Sequence, residues 1–247
     1  MGVAGGANAK TTDTTNLVFL MDANNVVSFV SGSTTVYNLM GGQTGSIQNG
    51  AIYDSKAGGC FAVDGTDTCG IVCDTFQGIQ NCAASGSGAT SAPLQNYTIE
   101  LWANLASDGP IGYPCPMGAK DTAHATGGYS FNMHSSMKFF FDGFWGAGPR
   151  RHPFGTFAYT KTEWIQLVVT YDGANAYGYQ NAIQAGTYTG AQTGDMKAAA
   201  EKFCIGFAGP ASVEWAGEIT GIKIYNKALT QAEVLQNYND QKDRFGL

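Results

Sequence analysis

Short apolar or alternating runs, each closed by a turn dipeptide, follow one another from residue 16 to residue 225, and a single later stretch carries helical spacing. Strands separated by turns, with no helices between them, pair antiparallel. Residues 16–21, with Leu17-Val18-Phe19-Leu20-Met21, form a continuous apolar run, as expected of a strand covered on both faces. Asn49-Gly50, between short apolar segments at 46–47 and 51–53, is a strong hairpin signal. In the run Tyr97–Ala103 the residues alternate. Tyr97, Ile99, Leu101 and Ala103 share one face, and Thr98, Glu100 and Trp102 share the other. Residues 129–133 and 138–141 read as paired strands. Trp164–Tyr171 is the strongest strand; Asp172-Gly173 closes it and residues 176–180 return beside it. Residues 203–207 and 218–225 complete the set.

Thr230-Gln231-Ala232-Glu233 has the form of a capping box, in which the Thr hydroxyl and the Glu carboxylate satisfy free backbone donors. Val234, Leu235 and Tyr238 supply the apolar stripe of one short C-terminal helix. The expected fold is therefore all-β, one antiparallel β-sandwich of jelly-roll type over residues 16–247. The 34 glycines suit its turns, and 12 Tyr and 14 Phe suit half-buried strands. Two segments stand outside it. Residues 1–15 hold almost nothing apolar, so this N-terminal arm is expected to lie against a partner, with Gly2, Val3 and Lys10 as contacts. Residues 66–95, rich in small residues, read as an inserted loop.

The order of these segments resembles laminin-G-like members of the concanavalin A-like jelly rolls. The Trp164–Gly173 run with its return through Tyr177-Gly178-Tyr179-Gln180-Asn181-Ala182 is similar to that family's central hairpin, with Ala182 where the family has Gly. Tyr97-Thr98-Ile99-Glu100-Leu101-Trp102 resembles its F-T-I-E-x-W strand. Ile224-Tyr225-Asn226-Lys227-Ala228-Leu229-Thr230 through Glu233 resembles its I-Y-N-R-A-L-T-x-x-E ending. The first third, from Leu17–Asn24 to Asp64-Gly65-Thr66, is similar to the opening of laminin-G-like proteins from tailed bacteriophage virions, although Tyr37, Asn38 and Met40 depart from their W-x-D-L-S-G segment. That second resemblance implies a non-enzymatic virion protein that decorates and cements a phage capsid. Its partners would be the major capsid protein or other virion proteins, and it would assemble as a homo-oligomer. The alternative is a glycan-binding adhesin or tail-fibre module.

Several chemistries find no support in the residues. Retaining glycosidases need two carboxyl groups about 5 Å apart. Glucanases of this fold carry them on one strand as E-x-D-x-E, a pattern missing here, so no enzyme activity is expected. The net charge is −6 with no basic stripe, which argues against nucleic acid. No apolar run reaches the roughly 20 residues that cross a bilayer. The first residues lack the basic and apolar regions of a signal peptide, so synthesis in the host cytoplasm and residence in the virion are expected. The six cysteines have no zinc spacing and read as free thiols in loop and core, with a loop disulfide among Cys69, Cys73 and Cys82 as the alternative.

The candidate sites are few. Glu100 and Trp102, side by side on one face, can hydrogen-bond and stack on a sugar, or can instead be a bonded structural acid and a filler of the sandwich. Arg150 and Arg151 form the only concentrated charge and suit an acidic neighbour or a solvated loop tip. Asp64-Gly65-Thr66-Asp67-Thr68 offers oxygen ligands for calcium, as in some members of the family, or forms a plain turn. No other cofactor or metal is expected.

Overall fold

The computed structural model describes residues 14, 16–66, 68, 70–73, 96–109, 112–120, 128–145, 148–153, 159–189, 202–208 and 213–247. These form two eight-stranded antiparallel sheets, a small strand pair and one α-helix. The first sheet runs, in spatial order, Ile183–Thr189, Asn175–Gln180, Ile165–Tyr171, Tyr97–Leu105, Ala216–Tyr225, Cys60–Asp64 and Ile52–Asp54. Its eighth strand, Leu17–Met21, pairs with the far end of Ala216–Tyr225. The second sheet runs Gly148–Pro153, Phe139–Trp145, Gly128–Met133, Met117–Lys120, Phe203–Ile205, Gly70–Cys73, Thr44–Gln48 and Thr35–Tyr37.

The expected antiparallel sandwich is thus present, with one core between the inner faces. Ile99, Leu101, Leu167 and Ile219 meet Phe131, Phe141, Phe203 and Ile205 there, all at most 1% exposed. Phe131 and Phe141 pack edge to face with ring centres 5.2 Å apart, a geometry that the ring quadrupoles favour. Trp102, Glu100 and Thr98 point the other way along their strand, yet they are also fully buried. The C-terminal helix and the chain after it cover that outer face.

The helix, Gln231–Gln241, starts with the expected capping box: Thr230 Oγ1 accepts from the Glu233 amide, and Glu233 accepts from the Thr230 amide at 2.8 Å. Its approach is fixed from the sheet, because the Thr98 hydroxyl donates to Lys227 O and accepts from the Leu229 amide, both at 2.8 Å. Val234, Leu229, Tyr225, Val168 and Tyr179 then form a second, smaller core. A 3₁₀ turn, Lys242–Phe245, follows. Its Arg244 guanidinium bonds Asp22 Oδ2 at 2.8 Å, Gly59 O at 2.6 Å and the carbonyl of Ala57, so the tail is tied to the opposite end of the chain.

Glycine is required where the long Ala216–Tyr225 strand crosses its neighbour: a Cβ on Gly217 would stand 2.0 Å from Asn104 O. No helix among the described residues is long and apolar enough to cross a membrane.

Three local expectations come out differently. Asn49-Gly50 does turn, with φ of 51° and 90°, but the strands on either side belong to different sheets. The turn passes the chain across the sandwich and does not close a hairpin. The segment 66–95 includes a core strand, Gly70–Cys73, every residue of which is buried. Four apolar residues between polar stretches are too few for periodicity to reveal. Cys73, one of the three residues considered for a loop disulfide, is a buried thiol of that strand. Arg150 and Arg151 lie in the edge strand Gly148–Pro153, opposite Gly143 and Asp142, and not at a loop tip. The expected contacts Gly2, Val3 and Lys10 lie outside the described residues, as do most of 66–95 and the thiols of Cys69 and Cys82.

Candidate functional site

The structure places Glu100 and Trp102 together, as the alternation implies, and gives both structural work. Glu100 Oε1 accepts from Lys223 Nζ and from Gln166 Nε2, each at 3.1 Å. Glu100 Oε2 accepts from Asn237 Nδ2 at 2.7 Å. Trp102 is sandwiched between Phe245, 4.0 Å away centre to centre and inclined 14°, and Tyr238 at 5.8 Å and 13°. Both side chains are 0% exposed. Neither meets solvent, so a sugar has no route to them while the helix and tail remain in place.

The Asp64 turn is closed from within: its Oδ1 accepts from the amide of Thr66 at 2.9 Å and from its hydroxyl at 3.0 Å. Among the described residues no group of three or more His, Cys, Asp or Glu side chains is arranged to hold a metal ion. Asp67 lies outside the described residues.

A cleft of about 170 Å³ opens where the Ile165–Tyr171 strand begins beside the turn that joins Asn175–Gln180 to Ile183–Thr189. That turn is a two-residue one with left-handed backbone at both Asn181 (φ 48°) and Ala182 (φ 61°), the geometry that matches strand twist. It is clamped to the neighbouring strand. The Gln166 amide donates to Asn181 Oδ1 at 2.9 Å, and the Asn181 amide donates to Gln166 O at 3.0 Å.

The other wall, residues 159–164, is equally fixed. The Tyr159 hydroxyl donates to Glu163 O at 2.6 Å and accepts from the Leu105 amide at 2.8 Å. Lys161 Nζ reaches away to Gly109 O at 2.6 Å and Ser107 O at 3.3 Å. Thr162 holds φ of 70°, a strained setting for a β-branched residue, and its amide bonds Leu105 O at 2.8 Å. This strain puts Glu163 and Trp164 at the mouth.

The lining therefore combines the partly buried indole of Trp164, the exposed carboxylate of Glu163, the amides of Gln180 and Asn181, and the aliphatic side chain of Ile183, which is 59% exposed. Gln180 is only 5% exposed, and its Nε2, itself enclosed, has no hydrogen-bond partner among the described residues. Burial makes the Tyr159 hydroxyl much harder to ionise, so it remains a neutral clasp. Sequence reading placed Trp164 at the head of a strand but missed the cleft. Glu163, Trp164 and Gln180 converge through the register of two strands and a strained loop, which no local pattern encodes.

Comparison with known proteins agrees with this fold. The Laminin_G_3 family model, described as the concanavalin A-like lectin/glucanases superfamily, matches residues 79–235. No curated protein matches the chain in sequence. Among solved structures, the binding domain of Paraclostridial Mosquitocidal Protein 1 superposes with a TM-score of 0.67 at 11% identity, covering 91% of this chain and 52% of that one. The botulinum neurotoxin serotype D ligand binding domain in complex with N-acetylneuraminic acid gives a TM-score of 0.67 at 10% identity, covering 92% and 51%. Trypanosoma rangeli sialidase in complex with sialic acid gives 0.65 at 13% identity, covering 94% and 34%. The chain thus spans about half the length of the toxin domains it resembles, and a third of the sialidase. With a family model matched over more than half its length and the two-sheet sandwich beneath it, the chain belongs to the concanavalin A-like lectin/glucanase superfamily.

Proposed function

We propose that this protein is a carbohydrate-recognition module that binds, without cleaving, a sugar in the cleft beside Trp164. The observation that carries the reading is the cleft lining, which sets the partly buried indole of Trp164 beside the side-chain amides of Gln180 and Asn181. The indole offers an apolar face for the C–H side of a sugar ring, next to amides for its hydroxyls. At about 170 Å³ the cleft suits one ring, since pockets for drug-sized ligands start near 300 Å³. Among the described lining residues Glu163 is the only carboxylate, whereas hydrolysis takes two. Relatives in fold that are recorded with N-acetylneuraminic acid and sialic acid support the reading.

Titration calorimetry and a glycan array test it with Trp164→Ala. The substitution removes the apolar stacking face at a partly buried position, so the protein should remain folded while sugar affinity falls about tenfold, the equivalent of about 1.4 kcal/mol. Unchanged affinity would remove the cleft from the proposal.

The virion placement belongs to the same proposal as a second reading. It rests on the resemblance of the first third of the chain to phage proteins, and on Arg150 and Arg151 lying at a sheet edge, where a neighbouring capsid chain or a second copy would pair. Copy number in purified particles decides between hundreds, as for capsid decoration, and a few, as for a tail adhesin.

A further inference from the structure

The C-terminal segment, residues 229–245, does more than cover the first sheet. Resting on the carbohydrate reading above, we infer that it positions both walls of the Trp164 cleft, so that its docking and sugar binding are thermodynamically coupled. Three separate connections lead from the lining to this one stretch of chain. Phe245, 8% exposed, places its ring 4.8 Å from that of Trp164 and stacks at 4.0 Å on Trp102. Ala182, in the turn that forms the facing wall, is 5% exposed and belongs to the smaller core that Leu229 and Val234 complete. Gln166 makes the third connection. Its amide donates to Asn181 Oδ1 at 2.9 Å, and its Nε2 donates to Glu100 Oε1 at 3.1 Å. The other oxygen of Glu100 accepts from Asn237 of the helix at 2.7 Å.

The segment is held in place by contacts remote from the cleft. Arg244 bonds Asp22, Gly59, Thr220 and the carbonyl of Ala57, and none of these lines it. An eleven-residue helix is marginal by itself in water, so it persists only while such packing and anchoring hold. When it leaves, the indole loses the ring beside it and the Asn181-Ala182 turn loses one side of its core. A sugar that needs both walls binds the docked state better, and linkage requires that it strengthen docking in return. Phe245, Val234 and Asn237 are thus positioning residues, and none of them lines the cleft.

NMR of the intact protein tests this first without any ligand. Arg244→Gln should shift the Trp164 indole N–H resonance, and Val234→Ala should shift the Asn181 side-chain amide. Ile205→Val, in the core between the sheets, lowers stability but should leave both signals unmoved, which separates positioning from general loosening. Phe245→Tyr, which keeps the ring, should leave the Trp164 signal closer to its original place than Phe245→Ala does. In a second arm, N-acetylneuraminic acid and the methyl glycosides of glucose, galactose and N-acetylglucosamine are added one at a time. A sugar that moves the Trp164 signal should slow exchange of the helix amides, up to about tenfold at ten times its dissociation constant. Unmoved signals in Arg244→Gln and Val234→Ala, or equal movement in Ile205→Val, would overturn the positioning while leaving sugar binding intact. A bound sugar without effect on helix exchange would overturn the coupling. No sugar moving the Trp164 signal would overturn the carbohydrate reading, and the coupling with it.

Discussion

The Glu100 carboxylate and the Lys223 ammonium meet 3.1 Å apart with side chains 0% and 1% exposed, in a layer between the first sheet and the C-terminal helix. Gln166 and Asn237 donate to the same carboxylate, so helix and sheet share one buried polar joint. Such a pair adds little against a well-packed apolar substitute, yet breaking it strands a charge. Lys223→Met should therefore cost about 3–5 kcal/mol, read as a lower urea midpoint. Adding Glu100→Gln to that variant should restore much of the loss. If the double variant is no more stable than Lys223→Met, the carboxylate is not what the lysine neutralises.

Phe245 couples this layer to the cleft. Its ring lies 4.0 Å from that of Trp102 and 4.8 Å from that of Trp164, which lines the cleft. Phe245→Ala should cost about 3 kcal/mol, at the lower end for a buried aromatic because the tail can settle. It should also weaken sugar binding severalfold, because Trp164 loses the surface that sets its tilt. Calorimetry on the folded variant separates the two effects, and full affinity in a destabilised protein would show Trp164 to be held by other contacts.

How much of this was legible beforehand differs from residue to residue. The alternation through Tyr97–Ala103 correctly divides its two faces, and the Thr230 capping box begins the helix where expected. Alternation cannot say what covers a face, and the partners that enclose Glu100 and Trp102 are Lys223 and Asn237 for the first and Phe245 for the second, more than 120 residues later. Turn chemistry at Asn49-Gly50 gives the reversal but not which sheet the chain enters next. The cleft is hardest to foresee. Gln180 looks like one more residue of a returning strand until the fold brings it into one cleft lining with Trp164.

The helix start is sensitive to acid through Glu233. Burial pushes its carboxyl up, but hydrogen bonds from Lys227 Nζ at 2.5 Å and from the amide and hydroxyl of Thr230 outweigh this and hold it below its ordinary value of 4.5. A lowered folded value means that stability from this group is complete above 4.5 and is lost as the pH falls through the lower folded value. Glu233→Gln should therefore remove part of the acid-induced loss of stability while lowering stability at neutral pH. Parallel urea titrations at pH 7 and pH 3 check this, and identical differences at both would exclude Glu233 from the acid response.

Cys60 responds at the other end of the scale. Its thiol is 0% exposed at the head of the strand Cys60–Asp64. Burial first, and then the nearby carboxylates of Asp54 and Glu218, push it up from 9.0 to about 12, against a smaller opposing pull from Lys56 and Arg244. Because the thiolate is the nucleophile, a thiol held in this way is inert until the strand opens. In the native protein at pH 8, alkylation of Cys60 should be about a thousandfold slower than that of a free thiol, because a rise from 9.0 to about 12 leaves about a thousandth of the thiolate before access is considered. The same shift contributes stability that is whole below 9.0 and disappears as the pH rises to about 12, so Cys60→Ala should flatten part of the alkaline transition. Peptide mapping after timed iodoacetamide exposure gives the rate directly. Labelling of Cys60 as fast as a small-molecule thiol would mean that the Cys60–Asp64 strand leaves the first sheet readily under native conditions.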